Sequence, residues 1–178
     1  VMTVIETVML LFGGMSFFES LLHTFGTAGT GGFGLKRDSL ASYSPYIQWV
    51  ITAFMILFGV NFNLYYLMLL KKFKAVVTST ELWAYFGIIL SSAALIAWNI
   101  RHLFGGLEQT VRTAAFQVAS VISTTGYATA DFNLWPNFSK NILFILMFIG
   151  GCAGSTAGGI KVSRIVLLFK LISNEVKR

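Results

Sequence analysis

The string Thr30-Gly31-Gly32-Phe33-Gly34 decides how this sequence is interpreted, because it returns further along the chain as Thr124-Thr125-Gly126-Tyr127-Ala128. Both copies carry threonine, a variable residue, glycine and an aromatic side chain, in that order. The third positions, Gly32 and Gly126, are 94 residues apart. Glycine at a fixed position of a short loop indicates backbone angles that residues with a Cβ rarely adopt. We therefore predict two copies of one structural unit.

The composition is that of an integral membrane protein. Hydrophobic residues make up 56% of the 178 residues, charged residues make up 11%, and the mean hydropathy is +0.74. Soluble domains carry about 25% charged residues. The net charge of +6 does not indicate nucleic-acid binding, because the basic residues flank apolar runs. The single cysteine, Cys152, excludes an internal disulfide, and no catalytic pair or metal-ligand spacing indicates an enzyme.

Apolar runs of different lengths predict the membrane spans. Residues 46–70 and 82–100 are long enough to cross a bilayer, which takes about 20 residues. Residues 141–172 are longer still, but a glycine cluster interrupts them. Residues 1–15 are too short, and we expect them to be the end of a helix that begins before Val1.

Each of the two strings follows a segment that is too short and too polar to cross, residues 16–29 and residues 110–123. The two prolines occupy matching places after the strings, since Pro45 and Pro136 each open the next apolar run, where proline is tolerated. The repeated unit is therefore a span, a short helix, a loop and a second span.

Glycine-rich loops at membrane depth indicate a pore. Irregular backbone is tolerated there only when protein buries it or water reaches it. Potassium-channel filters use the related pattern TVGYG, whose backbone carbonyls replace the hydration shell of the ion. Ser16 and Glu19 match a capping box that begins a helix on the watery side, and Thr110 is expected to begin the second short helix. The C-terminal ends of these helices then point at the loops, where their partial negative charge favours a cation.

The distribution of basic residues predicts an orientation. Five of them share the face of the two loops: Lys36, Arg37, Arg101, Arg112 and Lys140. Eight lie on the opposite face: Lys71, Lys72, Lys74, Lys161, Arg164, Lys170, Lys177 and Arg178. Because cytoplasmic loops carry the excess of Lys and Arg, the two loops are predicted to open outward from a multi-pass protein of the cell membrane.

Three strings resemble the Trk/Ktr/HKT family of cation transporters: Thr27-Ala28-Gly29-Thr30-Gly31-Gly32-Phe33, Ser123-Thr124-Thr125-Gly126-Tyr127 and Gly150-Gly151-Cys152-Ala153-Gly154-Ser155-Thr156-Ala157-Gly158-Gly159-Ile160-Lys161. Members of that family carry four helix–pore-loop–helix repeats around one pseudo-fourfold pore. The resemblance implies an all-α integral membrane protein, similar to potassium channels, of which this chain supplies about half of the pore. We expect the chain to be a fragment of a longer protein, with other repeats or a second copy completing the ring.

The resemblance divides the chain into two repeats. Residues 1–74 resemble the second repeat of the family, with a truncated first helix, a pore helix over 16–29, a filter over 30–34 and a second helix over 45–72. Residues 80–178 resemble the third repeat. Its expected parts are a first helix over 82–100, a pore helix over 110–123, a filter over 124–128, and a second helix over 136–175 that is broken by a glycine-rich loop over 150–159.

The resemblance also implies function and site residues. It implies potassium uptake with K⁺ as the transported ion and no cofactor, and glycine at the third filter position goes with potassium over sodium. The implied ion ligands are the backbone carbonyls of Thr30, Gly31, Gly32, Phe33, Thr124, Thr125, Gly126 and Tyr127. The implied gate consists of Gly150, Gly151, Cys152, Ala153, Gly154, Ser155, Thr156, Ala157, Gly158 and Gly159. Lys161 and Arg164 follow this loop directly, and from their charge we expect that Lys161 or Arg164 tunes the gate. The implied partners are membrane lipid, a second copy in a homodimer, and cytoplasmic nucleotide-binding regulatory subunits.

Several sequence patterns are open to a second interpretation. Gly150, Gly154 and Gly158 also form a G-x-x-x-G series that is typical of close helix packing. Asn61 and Asn63 either line a cavity below the filter or form hydrogen bonds between helices. Two other functions stay open: a tetrameric or dimeric cation channel subunit with mixed K⁺/Na⁺ selectivity, and a non-conducting membrane module that binds partners. Passive transport and symport with protons or sodium also stay open.

Overall fold

The computed structural model describes residues 1–176, and the regular secondary structure over this range is helical, which confirms the all-α class. The helices are, in chain order, α1 Met2–Phe12, α2 Phe17–Ala28, α3 Pro45–Phe58, α4 Phe62–Leu69, α5 Phe73–Val77, α6 Thr80–Ile100, α7 Leu107–Ile122, α8 Asn137–Phe148 and α9 Val162–Val176. A 3-10 turn, Phe132–Leu134, precedes α8. Lys177 and Arg178, predicted for the inner face at the end of the third-type repeat, lie outside the described residues.

Local signals explain where α2 and α3 begin. The Ser16 hydroxyl accepts the Glu19 N–H at 3.3 Å, and the Glu19 carboxylate accepts the Ser16 N–H at 3.2 Å, which completes the predicted capping box. The hydrogen bond from the Ser16 backbone is the main reason that the pKa of Glu19 lies below its usual value. The Ser44 hydroxyl caps α3 by accepting the Ile47 N–H at 3.4 Å, and Pro45 occupies the first turn of this helix.

The second short helix begins earlier than predicted. α7 starts at Leu107, after Gly106, so the expected start at Thr110 is wrong. No side chain of the described residues caps this helix, but Glu108 lies in its first turn, where a negative charge stabilises the positive end of the helix dipole. The Thr110 hydroxyl instead donates to the Gly106 carbonyl at 2.9 Å.

The continuous second helix predicted over residues 45–72 is also wrong. α3 and α4 meet at a bend of 90°, with Gly59, Val60 and Asn61 between them. Asn61 begins a new helix, since its Oδ1 accepts the N–H of Asn63 at 2.9 Å. Asn61 is therefore a helix cap, a role that neither interpretation of this residue included.

Distant residues stabilise this bend. The Gly59 carbonyl accepts the N–H of Cys152 at 2.9 Å, and the Phe62 N–H donates to the Gly154 carbonyl at 3.1 Å. A buried backbone group without a partner is costly, so these two bonds allow the apolar run to break. The bend between α3 and α4 and the glycine cluster are consequently hydrogen-bonded to each other and form one substructure.

α7 joins the two halves of the chain. Ala114, Val118 and Ile122 pack in a core with residues of α6 and α8. Phe116 and Ala119 pack in a second core with residues of α1 and α3. α6 is long and apolar enough to cross a membrane, and the α3–α4 pair passes the same test if it is counted as one span.

Candidate ion-binding site

The two loops that follow α2 and α7 have the same backbone conformation. We call residues 30–34 filter loop 1 and residues 124–128 filter loop 2. The first residue of each has a left-handed φ, 50° at Thr30 and 58° at Thr124, and so does the third residue, 65° at Gly32 and 86° at Gly126. A β-branched residue in this region is strained by roughly 1–2 kcal/mol. The same strain at equivalent positions of two loops indicates a functional constraint.

The two loops also share their hydrogen bonds. The N–H groups of Gly31 and Gly32 donate to the Gly26 carbonyl at 2.8 and 3.4 Å. In filter loop 2, the N–H groups of the second and third residues donate to the Ser120 carbonyl at 3.0 and 3.3 Å. The amides are thus directed back into the preceding helix, away from the loop.

The carbonyls of these positions are left unpaired. Within residues 1–176, none of the carbonyl oxygens of Thr30, Gly31, Gly32, Thr124, Thr125 and Gly126 accepts a hydrogen bond. The fourth position differs from the other three. The Phe33 carbonyl accepts the Tyr127 hydroxyl at 3.1 Å, and the Tyr127 carbonyl accepts the Ser120 hydroxyl at 2.5 Å.

Filter loops 1 and 2 are direct neighbours. A Cβ added to Gly32 would overlap the carbonyl oxygen of Thr125. At the other end of the loops, the Leu40 N–H donates to the Ala128 carbonyl at 3.0 Å, and the Ala128 N–H donates to the Ser39 hydroxyl at 3.1 Å. The six unpaired carbonyls therefore belong to one region of the structure.

The side chain of Tyr127 connects filter loop 2 to the helix behind filter loop 1. Its hydroxyl lies 3.2 Å from Nδ1 of the buried His23. A Cβ at Gly26 would overlap this hydroxyl, so the α2 surface is shaped to accept the phenol. Tyr127 thus fixes the distance between the two loops.

The segment between α8 and α9 contacts both filter loops. We call residues 150–159 the glycine loop. The Thr30 hydroxyl donates to the Thr156 carbonyl at 3.2 Å, and the Gly158 N–H donates to the Thr124 hydroxyl at 2.7 Å. The glycine loop is therefore hydrogen-bonded to the first residue of each filter loop.

Helix packing does not explain the glycine series of this loop. Gly150, Gly154 and Gly158 lie outside any helix, so the G-x-x-x-G interpretation is wrong. The base of the loop is closed by a parallel bridge in which the Gly150 N–H donates to the Ile160 carbonyl at 2.9 Å. A Cβ at Gly150 would overlap the Gly158 carbonyl oxygen, so the close approach of the two limbs requires glycine.

Three charged residues lie next to the glycine loop or directly follow it in the chain. The Lys161 ammonium donates to the Ala157 carbonyl, and Arg164 is exposed in the first turn of α9. The sequence analysis missed Glu81, at the start of α6. Its Oε1 accepts the Ala153 N–H at 2.6 Å and the Ser163 N–H at 3.2 Å. Only its position at the edge of a predicted span could have drawn attention to it.

A cluster of charged and polar side chains lies near the start of α7. Arg112 was predicted as an outer-face charge, yet its guanidinium is buried. Nη1 donates to the Gln48 Oε1 at 2.6 Å, and Nε lies 3.0 Å from Glu108. Gln48 in turn donates to the Leu40 carbonyl at 2.9 Å. This cluster ties α7 and α3 to the segment that follows filter loop 1.

Replacing Arg112 by alanine should lower the free energy of unfolding by about 1.5–3 kcal/mol, because hydrogen bonds to a charged group are lost and Gln48 is left buried without this partner. Thermal unfolding of the detergent-solubilised protein measures the effect. Arg37→Ala, at an exposed arginine, is the matched control and should change the stability by about 0.5 kcal/mol or less. Equal losses for both variants would show that the buried cluster contributes nothing specific.

Comparison with known proteins supports the resemblance drawn from the three strings. The sequence model of the TrkH family, described as cation transport protein, matches residues 6–87 and 67–178. The Trk system potassium uptake protein TrkH of Escherichia coli K12 is 35% identical over 182 residues, covering 99% of this chain and 38% of that protein. The Trk system potassium uptake protein TrkI of Halomonas elongata is 30% identical over 171 residues, covering 93% of this chain and 34% of that protein.

A solved structure is also similar. The crystal structure of the potassium transporter TrkH from Vibrio parahaemolyticus superposes with a TM-score of 0.93 at 30% sequence identity, covering 99% of this chain and 39% of that one. The chain thus spans somewhat more than a third of the length of these relatives, which agrees with the expectation that it corresponds to part of a family member. The chain belongs to the TrkH family of cation transport proteins.

Proposed function

We propose that this chain forms part of the pore of a potassium uptake protein, in which filter loops 1 and 2 coordinate dehydrated K⁺. The observation that carries the proposal is the set of six unpaired carbonyls, at the first three positions of both loops. Relatives that are 35% and 30% identical to this chain are named potassium uptake proteins. The fourth-position carbonyls of Phe33 and Tyr127 already accept one hydrogen bond each, and we propose that they contribute through their second lone pair.

The chemistry of this site is the exchange of water for carbonyl oxygens. A cation gives up its hydration shell only if fixed dipoles replace it at little cost. Hydrogen bonds from the loop amides to Gly26 and Ser120 hold the backbone in place before the ion arrives. α2 and α7 end immediately before the loops, at Ala28 and Ile122, so the negative ends of both helix dipoles lie close to the ion.

Acidic residues lie beside the ends of the filter loops. A cleft of about 290 Å³ next to Ala128 is lined by Asp38 and Asp131, together with Arg37. Carboxylates at the mouth of a pore raise the local concentration of cations. We propose that this cleft belongs to the outer entrance and that the filters face outward.

We propose that the glycine loop, with Lys161 and Arg164, is the gate. Two hydrogen bonds join it to the filter loops, one at Thr30 and one at Thr124. Each such bond contributes about 0.5–1.5 kcal/mol. The closed position of the glycine loop is therefore favoured, but it can open reversibly. The positive charge of Lys161, held at the Ala157 carbonyl, opposes the passage of a cation while the loop is closed.

The pore needs more than this chain supplies. Two filter loops can surround only one side of an ion, so we propose that further repeats or a second copy complete the ring. Exposed apolar side chains on α6 and α8 suit contact with membrane lipid, among them Leu90, Leu95, Phe144 and Phe148. We also propose a multi-pass location in the cell membrane, a homodimer, and cytoplasmic nucleotide-binding regulatory subunits, as the family resemblance implies.

Gly126→Ser tests the proposed function. In cells that lack potassium uptake, the full protein should restore growth on limiting potassium, whereas the variant should not, because serine strains a backbone at φ 86° within the filter. Gly87→Ser, on the exposed face of α6 with open space around it, is the matched control and should restore growth. Equal growth of both variants would refute the assignment of filter loop 2.

A further inference from the structure

We propose that Glu81 is a latch that holds the glycine loop closed and couples it to α9; this inference rests on the proposed gate. Glu81 is half-buried in the first turn of α6, outside the glycine loop and outside both filter loops. Its carboxylate is a positioning group that acts on the pathway through the backbone of the loop.

The contacts of this carboxylate span both limbs of the loop. One oxygen, Oε1, accepts the Ala153 N–H at 2.6 Å on the first limb. The same oxygen accepts the Ser163 N–H at 3.2 Å beyond the second limb. Oε1 of Glu81 therefore joins Ala153 to Ser163, which are separated in the chain by most of the glycine loop.

The hydrogen bonds of Glu81 differ in strength from most of the other hydrogen bonds that hold the glycine loop. Apart from the Lys161 ammonium, which follows the loop in the chain and donates to the Ala157 carbonyl, the remaining hydrogen bonds between the loop and the rest of the chain are made by neutral groups, such as those at Gly59, Phe62 and Thr124. Hydrogen bonds to an ionised carboxylate are roughly twice as strong as neutral ones. Among the described residues, release of Glu81 consequently removes the strongest attachment of the loop to a residue that is distant in the chain.

The bond to Ser163 ties this attachment to α9. Ser163 lies in the first turn of α9, where free N–H groups and the helix dipole attract a carboxylate. A displacement of α9 along its axis separates the Ser163 N–H from Oε1. It also pulls on the end of the glycine loop next to Lys161. The loop then loses its support from both ends, and its bonds to Thr30 and Thr124 are the next to break.

The latch makes α9 the element through which the gate is controlled. Much of α9 is exposed, including the apolar side chains of Leu168, Phe169 and Ile172. α6, by contrast, is a long helix packed against α7 and α8, so it provides a fixed support for Glu81. A force applied to α9 from the inner side is thereby transmitted to the glycine loop.

The natural cysteine of the loop provides a direct test. Cys152 is fully buried next to Ala153, and it becomes accessible to a thiol reagent only if the loop moves. In the full protein, with any other cysteines replaced, Glu81→Gln should raise the rate of Cys152 modification by N-ethylmaleimide at least fivefold. Rubidium uptake should rise in parallel. Glu175→Gln, which removes an exposed carboxylate from α9, should change neither rate.

The rate of Cys152 modification tests the latch, and the rate of rubidium uptake tests the proposed gate. Faster modification with faster uptake supports both. Faster modification with unchanged uptake supports the latch and contradicts the proposed gate. An unchanged modification rate overturns the latch, whatever happens to uptake. If Glu81→Gln fails to fold, Ser163→Pro removes the Ser163 N–H, together with the side-chain hydroxyl, in the first turn of α9, where proline is tolerated, and the same results are expected for it.

Discussion

Potassium uptake should be lost when Gly32 is replaced by alanine. Two independent features of the structure exclude a Cβ here: the backbone has a φ of 65°, and the added carbon would overlap the carbonyl oxygen of Thr125. The left-handed backbone costs roughly 1–2 kcal/mol, and relief of the overlap must displace a carbonyl of the other filter loop. The substitution thus damages both loops at once. We expect rubidium uptake to fall at least tenfold, which corresponds to about 1.4 kcal/mol of lost stabilisation of the dehydrated ion.

Gly126→Ala is the informative comparison for this prediction. Gly126 has a similar φ of 86°, but no neighbouring atom would contact its Cβ. Only the conformational strain remains, so the variant should retain more uptake than Gly32→Ala. Gly87→Ala on α6 should be close to the unmodified protein. If alanine at position 32 and alanine at position 126 have equal effects, the direct contact between the two filter loops does not matter for transport.

Deleting residues 151–156 should raise the flux of potassium. The deletion removes the Thr156 carbonyl that holds Thr30 and shortens the segment that presents Gly158 to Thr124. Two hydrogen bonds together contribute about 1–3 kcal/mol, which corresponds to a roughly 5- to 150-fold change in the open population. The remaining ends can be rejoined, because Gly150 already lies against Gly158 across the base of the loop. Single-channel or rubidium-flux measurements on the reconstituted protein give the result.

Cys152→Ala is the control for the deletion. It keeps the length of the loop and its backbone bonds, including the one from residue 152 to the Gly59 carbonyl. Its flux should equal that of the unmodified protein. Unchanged or reduced flux in a folded deletion variant would contradict the assignment of this loop as a gate.

The repeated loops were predictable because their signal is local. Threonine, glycine and an aromatic residue at fixed spacing, after a short capped helix, describe a loop whose backbone is determined by its own sequence and the preceding turn. The hydrogen bonds confirm this, since the amides of both loops return to Gly26 and Ser120 in the adjacent helix. The break at the glycine loop was predictable for the same reason, because its glycines disfavour a helix.

The features that sequence reasoning missed depend on residues far apart in the chain. The bend between α3 and α4 is stabilised by Cys152 and Gly154, about 90 residues away, so the apolar run alone suggested one helix. The contact of Tyr127 with His23 spans 104 residues, and that of Glu81 with Ser163 spans 82. Neither charge pattern nor periodicity encodes such pairs. The burial of Arg112 was not predictable for a related reason, since its partner Gln48 lies on another helix.

The central claim is that the unpaired carbonyls of filter loops 1 and 2 bind the transported cation. Anomalous diffraction from crystals of the full protein, grown with rubidium in place of potassium, tests it most directly. We predict an anomalous peak in contact with the carbonyl oxygens of residues 30–32 and 124–126, and its loss in the Gly32→Ala variant. Rubidium bound elsewhere in the protein, with no peak at these carbonyls, would contradict it.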